Sequence, residues 1–167
     1  MQTLTDVTHE HHALLWQDLE QLREIVDCLD SDCLDRAELE AGLPRLRAVH
    51  DGLQLRLLPH MEVVEAAVYP TLERLAADHG TTVTMAEDHQ QIRRLMQQLD
   101  VFIEDPAAHT DRSSVLVLRR IVLRLYALLT THLAEEELYL PILEDRLNPA
   151  QEAAIARALD HLAAERL

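Results

Sequence analysis

Aromatic residues, glycine, proline and cysteine are all scarce in this chain of 167 residues. Phe, Trp and Tyr together make up 3% of the chain, which contains 3 Gly, 6 Pro and 2 Cys. So little Gly and Pro leaves few turns, and no sustained alternation of apolar and polar residues indicates a strand. The apolar 48% is mostly Leu, Ala, Val and Ile, a composition typical of helices.

Cysteine is too rare to build a framework. Cys28 and Cys33 cannot form a disulfide scaffold, and no second pair accompanies them to make a thiolate zinc site. We interpret both as reduced thiols.

Positive charge is also in short supply. The chain has 15 Lys and Arg against 30 Asp and Glu, a net charge of −15 with neutral His. Because such a surface repels phosphate groups, we expect no nucleic acid and no membrane as partners. No apolar run reaches the roughly 18 residues that span a bilayer. The first residues lack the basic and apolar regions of a signal peptide, so we expect a cytoplasmic location.

Apolar residues recur at three- and four-residue intervals, which predicts amphipathic helices. The stripes that begin at His12 and at His89 share their first offsets, which indicates an internal repeat. The predicted helical regions are residues 6–30, 35–77, 82–104, 113–147 and 150–166. Within the second region we expect a break at Gly42-Leu43-Pro44, a kink at Pro59 and a further bend at Pro70.

The predicted fold is all-α. We expect one domain over residues 1–167, in which an up-down-up-down four-helix bundle of about residues 5–147 precedes a short extra C-terminal helix of about 149–166.

Histidines and carboxylates recur in the same order in both halves of the chain. A single His is followed by a His with a Glu: His12, then His60 with Glu65; and His89, then His132 with Glu136. Both glutamates lie five residues before a proline. A His and a Glu four residues apart share one side of a helix, and helix bundles build metal sites from such inward side chains. Four imidazoles and two carboxylates together predict a dinuclear metal site.

Several positions have alternatives. Glu65 lies five residues after His60, about 140° away around a regular helix, so it needs the kink at Pro59 or a π-bulge to face the site. Glu62 is its weaker substitute. Glu137 could replace Glu136, and His11 is the fallback for His12. Three tyrosines could either pack or contact a bound ligand or metal: Tyr69, Tyr126 and Tyr139.

The donor types restrict the metal. Imidazole and carboxylate without thiolate suit iron, manganese or zinc. Two octahedral ions offer roughly twelve positions, of which the protein and an oxo or hydroxo bridge would fill about ten. An open position is where dioxygen, nitric oxide or peroxide could bind.

At these residues the chain resembles the hemerythrin-like, or HHE cation-binding, family. The resemblance covers about residues 5–147 and includes the prolines after each glutamate and Asp88 before His89. It implies two non-haem iron ions bridged by oxo or hydroxo, held by His12, His60, Glu65, His89, His132 and Glu136. Arg93 stands where oxygen-carrying hemerythrins have a further His, which argues against a carrier with five His ligands.

The resemblance leaves the activity open. We expect a protein that binds dioxygen, nitric oxide or a related small molecule. A peroxide-consuming, catalase-like enzyme or an oxidase is the alternative, and an iron storage or sensing protein is the second alternative.

Overall fold

The computed structural model describes residues 4–29, 36–76, 82–105 and 112–164, and in these ranges it contains helices and no strand. A π-helical turn, Val64–Val68, lies between the second and the third α-helix. The α-helices are α1 Leu4–Leu29, α2 Arg36–Val63, α3 Tyr69–Ala76, α4 Val83–Glu104, α5 Arg112–Arg146 and α6 Pro149–Ala164.

Four long helices form the bundle. Helix α1 packs against α2 and α5, and α4 packs against the same two helices, so that each long helix has two neighbours. Helix α6 packs on α1 and α2. The predicted all-α fold, a four-helix bundle with an extra C-terminal helix, is confirmed.

The start of α6 follows from its sequence. The Asn148 side-chain oxygen accepts hydrogen bonds from the backbone N–H groups of Ala150 and Gln151, both at 3.0 Å. Pro149 occupies the first helical position, where its missing N–H costs nothing.

The break expected at Gly42-Leu43-Pro44 does not occur, because α2 continues through Pro44. Pro44 is exposed, so the carbonyl group that loses its helical partner lies where water reaches it. The prediction of a break was therefore wrong.

The π-helical turn lies directly before Pro70. In a regular α-helix the proline ring would clash with the carbonyl four residues earlier, and a wider turn relieves that clash. The backbone N–H of Tyr69 donates to the Val64 carbonyl, the five-residue step of a π-helix. A π-bulge, one of the two irregularities that the spacing of His60 and Glu65 required, is present.

The core consists of two apolar clusters. The larger cluster joins α1, α2, α4 and α5 and includes Leu19, Leu53, Leu99 and Leu125. The smaller cluster lies at the α6 end of the bundle and includes Leu4, Met85, Leu143 and Leu159. No helix in the described ranges has the length and hydropathy to cross a membrane.

One ion pair between α1 and α2 is partly enclosed by the bundle. Asp18 is 3% exposed, and its carboxylate accepts two hydrogen bonds from the Arg56 guanidinium, one of them from Nε at 2.9 Å. A side chain at Gly52 would collide with Arg56, so the glycine leaves room for the guanidinium to reach Asp18. This pair connects the two helices outside the larger cluster.

We expect Arg56→Ala to lower the free energy of unfolding by about 2–3 kcal/mol, because it leaves the Asp18 carboxylate buried without its partner. Arg23→Ala is the matched control, since Arg23 pairs with Glu20 and Asp27 on the exposed side of α1. In a denaturant titration that control should change the free energy of unfolding much less than Arg56→Ala does, because an exposed ion pair is screened by water and salt. Equal losses in both variants would contradict this account.

Candidate metal centre

Each long helix contributes one histidine to a single buried point in the bundle. His12 comes from α1, His60 from α2, His89 from α4 and His132 from α5. All four are at most 2% exposed. Three of them have an Nε2 atom between 3.0 and 3.3 Å from the carboxylate of Glu136, and the fourth, His89, lies at 3.7 Å.

Glu136 is the shared residue of the cluster, and its two oxygens serve different histidines. Oε2 lies 3.3 Å from His12 Nε2 and 3.0 Å from His60 Nε2. Oε1 lies 3.2 Å from His132 Nε2 and 3.7 Å from His89 Nε2. The carboxylate therefore stands between two pairs of imidazoles.

The donor atoms fall into two groups that could each hold a metal ion. The first group consists of His12, His60 and Glu136, and the second consists of His89, His132 and Glu136. Within each group the donor atoms lie within 4.8 Å of one another. His12 Nε2 is buried and makes no hydrogen bond. His89 Nε2 and His132 Nε2 face each other at 2.8 Å. Buried nitrogens that converge in this way fit metal ligation, because unpaired polar atoms are costly in a protein interior.

Carboxylates stand behind three of the four imidazoles. The Nδ1 atom of His12 lies 3.4 Å from Glu137 Oε1, that of His89 lies 2.8 Å from Glu65 Oε1, and that of His132 lies 3.6 Å from an oxygen of Asp88. A carboxylate within hydrogen-bond distance of Nδ1, as at His12 and His89, holds the proton there and directs Nε2 toward the centre, as is usual for metal-binding histidines. The Nδ1 atoms of His60 and His132 are buried without a hydrogen bond.

Glu65 does not join the group of donor atoms. Its carboxylate accepts hydrogen bonds from His89 Nδ1 and from both terminal nitrogens of Arg93, at 2.7 and 3.1 Å. The structure therefore brings together five of the six predicted ligands and leaves Glu65 outside. Here the π-helical turn begins beside Glu65 and Arg93 binds its carboxylate, and the bridging role of Glu65 stays a prediction.

The alternative ligands also lie outside the two groups. Glu62 is exposed, and Glu137 accepts hydrogen bonds from His12 Nδ1 and from the indole N–H of Trp16. The His11 ring centroid lies 6.4 Å from that of His60, so His11 is near the site without entering either group.

Tyr69 reaches the centre, which the sequence left undecided. Its hydroxyl donates to Glu136 Oε1 at 3.4 Å and lies 3.3 Å from His89 Nε2. Nine residues of regular α-helix after His60 would put Tyr69 on the opposite side, about 180° away. The extra residue in the π-helical turn removes about 100° of that angle and brings the hydroxyl inward. The five-residue spacing of His60 and Glu65 and the proline after Tyr69 were the sequence signals for this turn.

Arg93 was recognised only as a departure from the oxygen carriers. Its contacts give it a role beside the site, since it binds both oxygens of the carboxylate that orients His89.

Burial and neighbouring groups shift the pKa values of Glu136, His132 and Glu65 in opposite directions. Burial alone would raise the pKa of Glu136, but the surrounding imidazoles, His60 first, hold that pKa well below its usual range. Burial would likewise lower the pKa of His132, yet the adjacent Glu136 and then Asp88 raise it. For Glu65, the raising effect of burial is outweighed by Arg93 and then His89, which lower its pKa. Burial and the nearby Glu136 raise the pKa of Tyr69, so its hydroxyl keeps its proton.

A bundle with inward imidazoles and a shared carboxylate defines a class of helical metal-binding proteins. The family model for the hemerythrin HHE cation binding domain matches residues 3–143 of the chain, so the chain belongs to the hemerythrin family. The match ends before α6 begins. Comparison with curated proteins and with solved structures gave no significant match.

We expect Glu65→Gln to keep bound metal with an affinity about 10–100-fold lower, because it removes the charge that orients His89. Glu136→Gln should weaken metal binding much more, since it neutralises the carboxylate that both groups share. Elemental analysis after dialysis against a graded chelator distinguishes the variants. If Glu65→Gln loses metal as completely as Glu136→Gln, Glu65 is itself a ligand.

The metal-free protein should lose stability as the pH rises. The pKa of His132 is raised by folding, so its contribution to stability is complete below the ordinary imidazole value near 6.5 and disappears as the pH rises through the raised value. Denaturant unfolding at pH 6 and pH 8, with chelator present, measures the slope. The slope should shrink in His132→Asn, and an unchanged slope in that variant would contradict the assignment.

Proposed function

We propose that this protein is a non-haem di-iron protein that binds dioxygen, nitric oxide or a related small uncharged molecule at the centre shared by Glu136. The observation that carries the proposal is the pair of donor groups, each of two histidines and one carboxylate, that meet at one buried residue. Two imidazoles and one carboxylate are a donor set typical of non-haem iron(II) sites with open positions.

The number of donors supports the binding of an additional molecule. Each group offers three donor atoms, whereas an octahedral iron ion has about six positions, so roughly three per ion remain for solvent, a bridge or a ligand. With Glu65 outside the cluster, more positions stay open than the sequence predicted. Bound iron would supply the electrons for oxygen or nitric oxide chemistry, while the protein positions the donor atoms and excludes bulk water.

A small cavity beside the centre supports a diatomic molecule. It measures about 30 Å³, and its polar lining residues are Thr8, His60, Tyr69, Glu136 and Tyr139. The rest of its wall is largely apolar, including Leu4, Val64, Val68, Leu72, Met85, Leu140, Leu143 and Leu159. One water needs roughly 10–15 Å³ of such volume, so the cavity has room for a diatomic molecule. An apolar wall favours an uncharged guest over a charged one.

The Tyr69 hydroxyl gives the centre a hydrogen-bond donor at the edge of this cavity. It keeps its proton because its pKa is raised, and it already points toward Glu136 Oε1 and His89 Nε2. A donor in this place would stabilise a ligand that gains negative charge on binding.

The function is tested with protein loaded anaerobically with iron(II). We expect two iron ions per chain, and an absorption spectrum that changes on adding dioxygen or nitric oxide. Reversal when the gas is removed would support binding, whereas repeated oxygen release from added peroxide would make the protein an enzyme. A loaded centre that responds to neither gas would overturn the proposal and favour iron storage or sensing.

Two glutamates that are adjacent in the chain provide the matched controls. Glu136→Gln should abolish the spectral response, because it removes the donor that both groups share. Glu135→Gln changes the neighbouring side chain, which belongs to neither group, and should keep the response. Loss of the response in both variants would point to damage to the helix.

A further inference from the structure

The outer face of α5 carries an apolar stripe. Among the described residues nine large hydrophobic side chains are exposed, and five of them belong to α5. Leu116, Leu123 and Leu138 are 55%, 44% and 72% exposed, and exposed alanines, Ala127 and Ala134, lie between the last two leucines. Their spacing places them on one side of the helix, away from His132 and Glu136. The stripe is interrupted by Arg120 and Thr131, and exposed apolar side chains aligned in this way mark an interaction surface.

The stripe has the same pattern in both directions. Forward from Leu116, steps of 4, 3 and 4 residues lead to Arg120, Leu123 and Ala127. Backward from Asp145, steps of 4, 3 and 4 residues lead to Pro141, Leu138 and Ala134. When two such helices lie antiparallel, the stripe of one is in register with the stripe of the other. The centre of the pattern then lies between Thr130 and Thr131. In that register Leu123 meets Leu138, and Ala127 meets Ala134.

Charge along α5 is divided in the same way. From Arg112 to Arg124 the helix contains four arginines and no acidic residue. From Glu135 to Asp145 it contains no basic residue and five acidic ones, of which Glu136 is buried, Glu137 bonds to α1, and Glu135, Glu144 and Asp145 remain. Two copies side by side in the same direction would bring like charges together. Two copies in opposite directions bring the basic half of each against the acidic half of the other, which is favourable.

We propose that two copies of this chain associate through the outer faces of α5, with the two helices antiparallel and related by a two-fold axis near Thr131. Such an interface is self-complementary, because every contact occurs twice. If Leu123 of one copy contacts Leu138 of the second, Leu138 of the first contacts Leu123 of the second. Leu123 and Leu138 form its apolar centre. Arg120 and Arg124, both exposed, lie opposite the segment of the second copy that contains Glu135 and Asp145. The pairing does not depend on what the metal centre binds.

The first test measures association of the full-length, metal-loaded chain by sedimentation as a function of concentration. Because each copy has a net charge of −15, the measurement is made near 0.15 M salt, where charges more than about 8 Å apart are largely screened. A concentration-dependent dimer is expected. A chain that stays monomeric up to millimolar concentration would overturn the proposal.

Leucine-to-glutamate variants locate the surface. Leu123→Glu and Leu138→Glu should each raise the dimer dissociation constant at least tenfold, because they place a charge in the apolar centre. Leu55→Glu is the matched control, since Leu55 is 45% exposed on α2, away from the stripe. Metal content shows whether each variant is folded. If Leu55→Glu weakens the dimer as much as Leu123→Glu does, the surface is not the one proposed.

Cysteine cross-linking tests the direction of the pairing, in a chain with Cys28→Ser and Cys33→Ser. Thr131→Cys lies next to the two-fold axis and should form a disulfide with its own copy. Leu116→Cys should not, because the antiparallel register separates its two copies by about 44 Å along the helices. A mixture of Leu116→Cys and Asp145→Cys chains should form the mixed disulfide. Rapid self-linking of Leu116→Cys would indicate a parallel pair and overturn the proposal.

Discussion

The Glu136 carboxylate, surrounded by four imidazoles, is the interaction on which the arrangement of the bundle depends. A charged carboxylate that is 7% exposed needs partners, because an isolated buried charge is very costly. Each of the four long helices supplies one of those partners. The carboxylate therefore fixes the relative height and rotation of all four helices at one level. Near this level the larger apolar cluster gives way to the smaller one.

The π-helical turn determines which further side chains lie beside Glu136 and the four histidines. The turn lies directly before Pro70, and its extra residue changes the direction of the side chains that follow it. Tyr69 consequently faces the centre and contacts Glu136 and His89. Glu65, at the start of the same turn, lies behind His89 and binds Arg93. One local irregularity thus places a phenol at the edge of the cavity and a carboxylate at the Nδ1 atom of His89.

Much of the fold and part of the site could be predicted from residue spacing. The three- and four-residue periodicity located the helices, and the repeated order of His and Glu selected the four histidines that meet in the structure. The expected break near Pro44 failed because an exposed proline costs a helix only one hydrogen bond, which water replaces. The position of Glu65 was missed for another reason. Spacing along a regular helix loses its meaning where the helix is π-helical, and the partner Arg93 lies on a different helix.

The spacing of Leu116, Leu123 and Leu138 also shows the limit of sequence patterns. A stripe of leucines in a helix usually indicates core, and only the packed bundle shows that this stripe faces outward. In the folded bundle one side of α5 faces the metal centre, and the opposite side is exposed.

By itself, the sequence determined the helices, the family and the histidines that face the interior, because these depend on residue types and regular periodicity. The tertiary structure alone decided which carboxylate is shared, which carboxylates orient the imidazoles from behind, and that Tyr69 reaches the centre. Those features depend on contacts between helices and on one irregular turn, whose direction no residue spacing specifies.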